Sequence, residues 1–188
     1  MSDERARLFV ALELPPGVRA RLDEWRRRAF GEQLASLRLV SPESLHVTLC
    51  FLGWRAVEDI EPIAAACEGA VRGPAAELSL GAGLWLAPRG RPRVAGVRIE
   101  DRAGTLAGVQ SALSDALAAA GRYAPEHRAF VAHVTVARVA RAARVRPLKL
   151  PAPEPLAFTG VTVTLFRSRL ARGGARYEPL RVFALASA

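Results

Sequence analysis

The chain of 188 residues has few cysteines, few histidines and no long apolar run. Its two cysteines, Cys50 and Cys67, lack the close spacing of a zinc site and are too few for a disulfide scaffold. No apolar stretch approaches the roughly 20 residues that a membrane-spanning helix needs, and the opening residues lack the apolar segment of a signal peptide. We therefore expect a cytoplasmic protein that has no membrane partner.

Lysine is also nearly absent, and arginine carries the positive charge. Lys and Arg together number 27 against 18 Asp and Glu, which gives a formal net charge of +9. Such an excess suggests a polyanionic partner such as RNA, because guanidinium groups neutralise phosphates and release counterions. A GC-rich genome would produce the same excess, so composition alone leaves both explanations open.

Hydrophobic periodicity predicts more strands than helices. Three helices are expected, at about residues 18–30, 57–71 and 106–121, the last capped by Asp101. Strands are expected at 7–14, 37–40, 45–52, 77–86, 93–100, 130–139, 158–168 and 177–185, and a loop at 140–155. The order is not a strict βαβα alternation, which favours an α+β fold with largely antiparallel sheets. A helix precedes a histidine-bearing strand in each half, so we expect two pseudo-symmetric lobes within a single domain, residues 1–188.

Two of the three histidines begin almost the same tetrapeptide, in opposite halves of the chain. His46 begins HVTL and His133 begins HVTV. Residues two apart in a strand project from the same face, so each motif presents an imidazole beside a hydroxyl, that of Thr48 or Thr135. A lone His-x-Thr is usually an ordinary strand feature, but its repetition favours one site to which both motifs contribute.

Paired imidazoles suit general acid–base catalysis at a phosphoryl group. With a reference pKa of about 6.5, one histidine can take a proton from water while the other donates one to the leaving oxygen. The threonine hydroxyls can donate hydrogen bonds to the non-bridging phosphate oxygens. The acidic residues show no metal-ligand spacing and no glycine-rich phosphate loop is present, so we expect neither a metal nor a cofactor.

At these residues the chain resembles the two-histidine phosphoesterases, and more narrowly the LigT-type RNA 2′,3′-cyclic phosphodiesterases, also called 2′-5′ RNA ligases. The similar segments are RLFVALELP, SPESLHVTLCFLG, PRVAGV, RAFVAHVTVARV and GARYEPLRVFAL. The resemblance implies a bilobal α+β fold with the active site in a groove between lobes and helices packed outside. It also implies hydrolysis of a 2′,3′-cyclic phosphate to a 2′-phosphate, with reversible 2′-5′ ligation.

The resemblance also implies roles for individual residues. His46 would be the general acid and His133 the general base, while Thr48, Thr135 and Arg138 would bind the phosphate. Strict alternation points the Arg138 side chain away from His133, so its role requires a bulge, a strand end or a long reach.

Two features depart from the family pattern. The family often has Arg-Pro-Phe-x-Pro-His before the second motif, whereas residues 128–133 read RAFVAH and lack both prolines. Cys50 occupies a position where a polar or basic residue is common, and alternation predicts that its side chain shares the face of His46 and Thr48.

Other residues have two interpretations each. Phe51 and Phe130 could stack on a nucleobase or pack in the core. The arginines of residues 87–93 and 138–146 could line an RNA groove or belong to solvated loops. His127 belongs to neither motif and is expected to be an ordinary surface residue.

The sequence therefore predicts a monomeric, metal-independent phosphodiesterase that acts on RNA with 2′,3′-cyclic phosphate termini, such as tRNA halves or oligonucleotides. Two alternatives stay open. One is a phosphodiesterase of a small cyclic nucleotide, which would not prefer oligonucleotides. The other is a non-catalytic basic RNA-binding module, in which the histidines hold phosphate without turning it over.

Overall fold

A computed structural model of the protein describes residues 4–86, 91–126, 128–140, 143–147, 149–171 and 174–186. Parts of both arginine-rich loops, and His127, lie outside the described residues. The described elements in chain order are β1 (Arg5–Glu13), α1 (Pro16–Ala29), β2 (Leu37–Leu39), β3 (His46–Ala56), α2 (Ile60–Ala70), β4 (Ala76–Leu86), β5 (Val94–Glu100), α3 (Thr105–Ala119), β6 (His133–Val139), β7 (Ala157–Gly160), β8 (Thr162–Ala171) and β9 (Gly174–Ala184). Short 3₁₀ helices occupy Gly31–Ser36, Pro42–Ser44 and Val57–Asp59.

The named strands form one sheet in the order β7-β4-β5-β6-β3-β1-β8-β9, with β2 also paired to β6. All pairings between these strands are antiparallel. The predicted α+β fold with an antiparallel sheet is therefore confirmed. None of the helices in the described segments is long and apolar enough to cross a membrane.

The sheet consists of two halves with matching chain order. One half contains β1, α1 and β3, and the other contains β5, α3 and β6, so each histidine strand follows a strand and a helix. Among the described residues, β3 and β6 pair only at Val47 and Val134. This pair lies at the junction of the two halves, and the histidine that begins each strand directly precedes it.

The segment predicted as one strand at 158–168 is two strands. β7 pairs with β4 in one half of the sheet, whereas β8 pairs with β1 in the other. Gly160 ends β7, and a Cβ added there would lie 2.8 Å from Leu12 and 3.2 Å from Leu78, which belong to different halves. The sheet is therefore curled around apolar side chains from both halves, and glycine allows the chain to pass close to them.

The helices bury one face each against the sheet or one another. Leu106, Val109, Leu113 and Leu117 recur at helical spacing along α3 and are all buried. Burying one such side chain stabilises the fold by about 1.5–3 kcal/mol. Asp101 does not occupy the N-cap position itself, which is Gly104, but its carboxylate accepts a hydrogen bond of 2.9 Å from the Ala107 N–H in the first turn. The core thus fixes the two histidine strands against each other.

Candidate active site

The two histidine motifs meet at the junction between the halves of the sheet. Continuing the register of the Val47–Val134 pair places His46 opposite Thr135 and Thr48 opposite His133. The valines point into the core and are fully buried. The imidazoles and hydroxyls therefore project from the other face, where each histidine faces the threonine of the other motif.

Both imidazoles are oriented by the same local hydrogen bond. His46 Nδ1 lies 2.8 Å from the Ser44 carbonyl oxygen, and His133 Nδ1 lies 2.7 Å from the Val131 carbonyl oxygen. A carbonyl can only accept, so Nδ1 carries the proton in both rings and Nε2 is left for proton exchange. His46 Nε2 lies 3.1 Å from Thr48 Oγ1, which couples the two polar groups of the first motif.

The electrostatic environment of His46 disfavours its charged form. Burial lowers the pKa of His46 to about 4, the Ser44 carbonyl opposes this effect, and the nearby side chains of Arg138 and His133 lower the pKa further. In the unliganded protein His46 is thus neutral at pH 7. Binding of an anion between the two motifs would counter the cationic neighbours and raise this pKa.

Aromatic side chains hold the His46 ring in place. Phe9 stacks on it with ring centroids 4.9 Å apart, and Tyr177 contacts it edge-on at 5.2 Å. Phe166 stacks in turn on Phe9 at 5.2 Å. These residues come from β1, β8 and β9, so three further strands restrict the orientation of the imidazole.

A β-bulge follows each motif at the same position. Thr48 pairs with Ala11 and Cys50 with Val10, which leaves Leu49 as the extra residue. Thr135 pairs with Gly96 and Ala137 with Ala95, which leaves Val136 as the extra residue. Each bulge reverses the alternation of side chains in the residues that follow.

The first bulge overturns the prediction for Cys50. Its side chain does not share the face of His46 and Thr48 but is fully buried in the core, where burial raises the pKa of the thiol to about 12. The next residue, Phe51, is 44% exposed and lies on the face of the motif instead. The guanidinium of Arg7 lies 4.8 Å from the centroid of the Phe51 ring.

The second bulge brings Arg138 to the face of His133 and Thr135. Val136 and Ala137 are both buried in succession, and Arg138 is exposed. Its charge acts on His46 across the junction. Simple alternation is therefore wrong for Arg138, because the bulge reverses the direction of its side chain.

A cavity of about 530 Å³ opens beside the two histidine motifs. Thr48 and His133, one residue from each motif, line it together with both aromatic residues singled out in the sequence, Phe51 and Phe130. Tyr123 adds a third aromatic ring, and α3 contributes Gln110, Ser111 and Ser114. The cavity thus combines apolar rings with polar groups, as expected for a site that binds a small organic group such as a base.

In the described part of the chain, no group of three or more His, Cys, Asp or Glu side chains is close enough to hold a metal ion. The groups positioned for chemistry are the two imidazoles, the two hydroxyls and one guanidinium. This arrangement can move protons and bind an anion.

The family model described as LigT-like phosphoesterase matches residues 12–95. Over 183 residues the chain is 32% identical to the RNA 2′,3′-cyclic phosphodiesterase of Escherichia coli K12, covering 97% of this chain and 98% of that relative. The chain belongs to the LigT-like phosphoesterase family. E. coli LigT complexed with 3′-AMP matches with a TM-score of 0.78 at 28% identity, covering 97% of this chain and 99% of that one. A protein of Thermus thermophilus, TT0787, matches with a TM-score of 0.73 at 29% identity, covering 95% of this chain and 97% of that one.

In this LigT-like phosphoesterase, the sequence alone missed the aromatic support of His46. Phe9 looked like one apolar residue of a buried strand, and Tyr177 like part of a C-terminal strand. Their contacts with His46 depend on the pairing of β1 with β3 and β8 and of β8 with β9. Alternation within β1 could have placed Phe9 on the face of Ala11 and Glu13, but not next to a histidine.

Proposed function

We propose that this protein hydrolyses RNA 2′,3′-cyclic phosphate ends to 2′-phosphate ends, with His46 and His133 as a general acid–base pair and without a metal. The observation that carries this proposal is the facing arrangement of the two motifs. Each imidazole is fixed through Nδ1, which leaves both Nε2 atoms to exchange protons, and each histidine lies opposite a threonine hydroxyl.

The reaction divides the proton transfers between the two histidines. Neutral His133 accepts a proton from a water molecule whose oxygen attacks phosphorus, and the bond from phosphorus to the 3′ oxygen breaks. Protonated His46 donates its proton to that oxygen. Thr48 and Thr135 donate hydrogen bonds to the non-bridging oxygens, and Arg138 balances their charge. Each proton transfer contributes about 10²–10⁴ in rate.

The acid role of His46 depends on the substrate. In the empty site its pKa of about 4 leaves it unprotonated at neutral pH. A bound cyclic phosphate adds a negative charge beside His46 and Arg138, which favours the imidazolium. Substrate binding and proton uptake are therefore linked, and His46 becomes a competent acid only in the complex.

The substrate is the end of an RNA chain, from an oligonucleotide or a tRNA half. The same site can also catalyse reversible 2′-5′ ligation, in which a 5′ hydroxyl attacks the cyclic phosphate in place of water. Phe51 and Phe130 stack on the terminal base, which the 530 Å³ cavity beside His133 accommodates. The protein acts in the cytoplasm as a monomer, and residues 1–188 form one two-lobed domain.

The test is hydrolysis of a short RNA that ends in a 2′,3′-cyclic phosphate, with EDTA present. The wild type should produce a 2′-phosphate, and His46→Ala and His133→Ala should each lower kcat/KM at least about a hundredfold. His127→Ala is the matched control, because this histidine belongs to neither motif. Turnover that is indifferent to either motif histidine would sink the proposal.

The same assay separates the two alternatives. Equal kcat/KM for a mononucleotide cyclic phosphate and an oligonucleotide would favour a small cyclic nucleotide as the substrate. Salt-sensitive RNA binding that survives both histidine substitutions, with no product formed, would favour a non-catalytic RNA-binding module.

A further inference from the structure

Two arginines lie side by side near the end of β6, on the face that carries His133 and Thr135. Arg38 of β2 pairs directly with Arg138 of β6, and both side chains are exposed. Residues directly opposite in an antiparallel pair project from the same face, with Cβ atoms about 4.5–5.5 Å apart. Arg38 therefore extends the cationic surface of Arg138 by one strand.

The neighbours of this arginine pair show which face it occupies. Leu37 and Leu39, on either side of Arg38, pack against the core, and Ala137 is fully buried. The arginines must then project from the opposite face, which also carries His133 and Thr135. Val94, paired with Arg138 on its other side, lines the cavity beside the catalytic pair.

No acidic side chain among the described residues forms an ion pair with Arg38 or Arg138. Neither β2 nor β6 contains an acidic residue. Like charges directly opposite in a sheet are destabilising. An anion bound between the two guanidinium groups would relieve that repulsion.

We propose that Arg38, held beside Arg138, binds the phosphodiester immediately 5′ of the terminal cyclic phosphate. This inference rests on the proposed function, and it deepens it by making the enzyme selective for oligonucleotides. Arg138 acts on His46 and so lies near the reacting phosphate. Arg38 lies one strand further out, where the next phosphate of the chain can reach it. The planar guanidinium binds two phosphate oxygens at once, which fixes the direction of the RNA.

Arg98 provides a matched control. It is exposed on β5, pairs directly with His133, and so lies on the same face at the opposite end of β6. Glu100, two residues further along β5, shares its face and reduces the local positive charge. An RNA chain that left the site in the other direction would use Arg98 instead of Arg38.

The experiment compares kcat/KM for three substrates with the wild type, Arg38→Gln and Arg98→Gln. The substrates are 2′,3′-cyclic AMP, the dinucleotide ApA with a terminal 2′,3′-cyclic phosphate, and the same dinucleotide with an uncharged methylphosphonate linkage. Arg38→Gln should lower kcat/KM about fivefold for the charged dinucleotide and leave the other two substrates unchanged. Arg98→Gln should leave the ratios of kcat/KM among the three substrates unchanged.

Each outcome decides between the proposal and its rivals. If Arg38→Gln lowers kcat/KM equally for all three substrates, Arg38 acts on the reacting phosphate or on the fold. If only Arg98→Gln lowers kcat/KM selectively for the charged dinucleotide, the RNA leaves the site in the opposite direction. Either result, or no loss at all, overturns the inference. Wild-type turnover of the charged dinucleotide tests the proposed function separately. If there is none, equilibrium binding of a fluorescent RNA tests Arg38, whose loss should reduce the slope of log affinity against log salt by about 0.7.

Discussion

Arg26 is a buried cation that belongs to neither motif, yet it contacts the bulge that directs Arg138. It lies on α1 with 2% of its surface exposed. Its guanidinium donates a hydrogen bond of 3.0 Å to the carbonyl oxygen of Val136, the extra residue of the second bulge, and another to the carbonyl oxygen of Val40. Asp23 pairs with the same guanidinium from one turn earlier. We predict that Arg26→Met weakens both stability and catalysis, the latter through Arg138.

The magnitude follows from the contacts that are lost. Each hydrogen bond from a charged donor contributes about 1.5–3 kcal/mol, while removing the buried guanidinium also removes its desolvation penalty. Asp23 is still paired with Arg27 at 3.0 Å, and the Val136 oxygen still accepts from the Val40 N–H at 3.0 Å. The free energy of unfolding should therefore fall by about 2–4 kcal/mol, which leaves a typical domain folded.

The assay is a double-mutant cycle of Arg26→Met and Arg138→Ala, with urea unfolding and kcat/KM measured for each variant. Arg26→Met alone should lower kcat/KM about fivefold or more. In the Arg138→Ala background the same substitution should lower kcat/KM much less, because no guanidinium is then left at position 138 for the bulge to orient. Its stability cost should be the same in both backgrounds. Leu22→Ala, from the buried face of the same helix, should cost a similar 2–5 kcal/mol without changing kcat/KM. Additive effects of Arg26→Met and Arg138→Ala on kcat/KM would refute the reasoning.

Two further predictions concern the catalytic face. The imidazole of His46 should titrate near pH 4 in the free protein by NMR, because burial and cationic neighbours destabilise its charged form. Its pKa should rise above about 6 with a bound 2′-phosphate nucleotide. Because protonation is disfavoured in the folded state, His46 should also lower the stability as the pH falls from about 6.5 towards 4. A pKa of His46 near 6.5 in the free protein would contradict the burial argument. A pKa of His46 that does not rise in the complex would contradict its role as the acid. Phe51→Ala should weaken binding of an RNA end by about 1–3 kcal/mol with little effect on urea unfolding, because the ring is largely exposed. Unchanged affinity would exclude stacking on Phe51.

The elements and the repeated histidine motif follow from local patterns in the sequence, which is why they could be predicted. Alternation around His46 and His133 needs no knowledge of neighbouring strands, and the helical spacing of Leu106, Val109, Leu113 and Leu117 marks α3. The positions after each motif could not be derived in this way. A bulge is defined by which residues of the partner strand are paired, and that register appears only in the assembled sheet. Cys50 and Arg138 were therefore both assigned to the wrong face by alternation.

Long-range contacts account for the remaining differences. Arg26 follows Trp25 in an amphipathic helix and looks like one more exposed arginine until the carbonyl oxygens of Val40 and Val136 lie beside it. Arg38 occupies a strand of only three residues, and its neighbour Arg138 is 100 positions away in the sequence. Neither residue differs in its local pattern from the many other arginines of this chain.

The two bulges have a consequence for how enzymes of this kind can diverge. Each one turns the fifth residue after the histidine towards the face that carries the imidazoles, and that residue is Phe51 in one motif and Arg138 in the other. The backbone therefore sets the direction of this side chain, whichever amino acid stands at the position. A mutation at either position can replace a ring with a charge, or the reverse, without moving the imidazoles. Contacts with the ligand can then change at two surface positions while both imidazoles keep the Nδ1 hydrogen bonds that orient them.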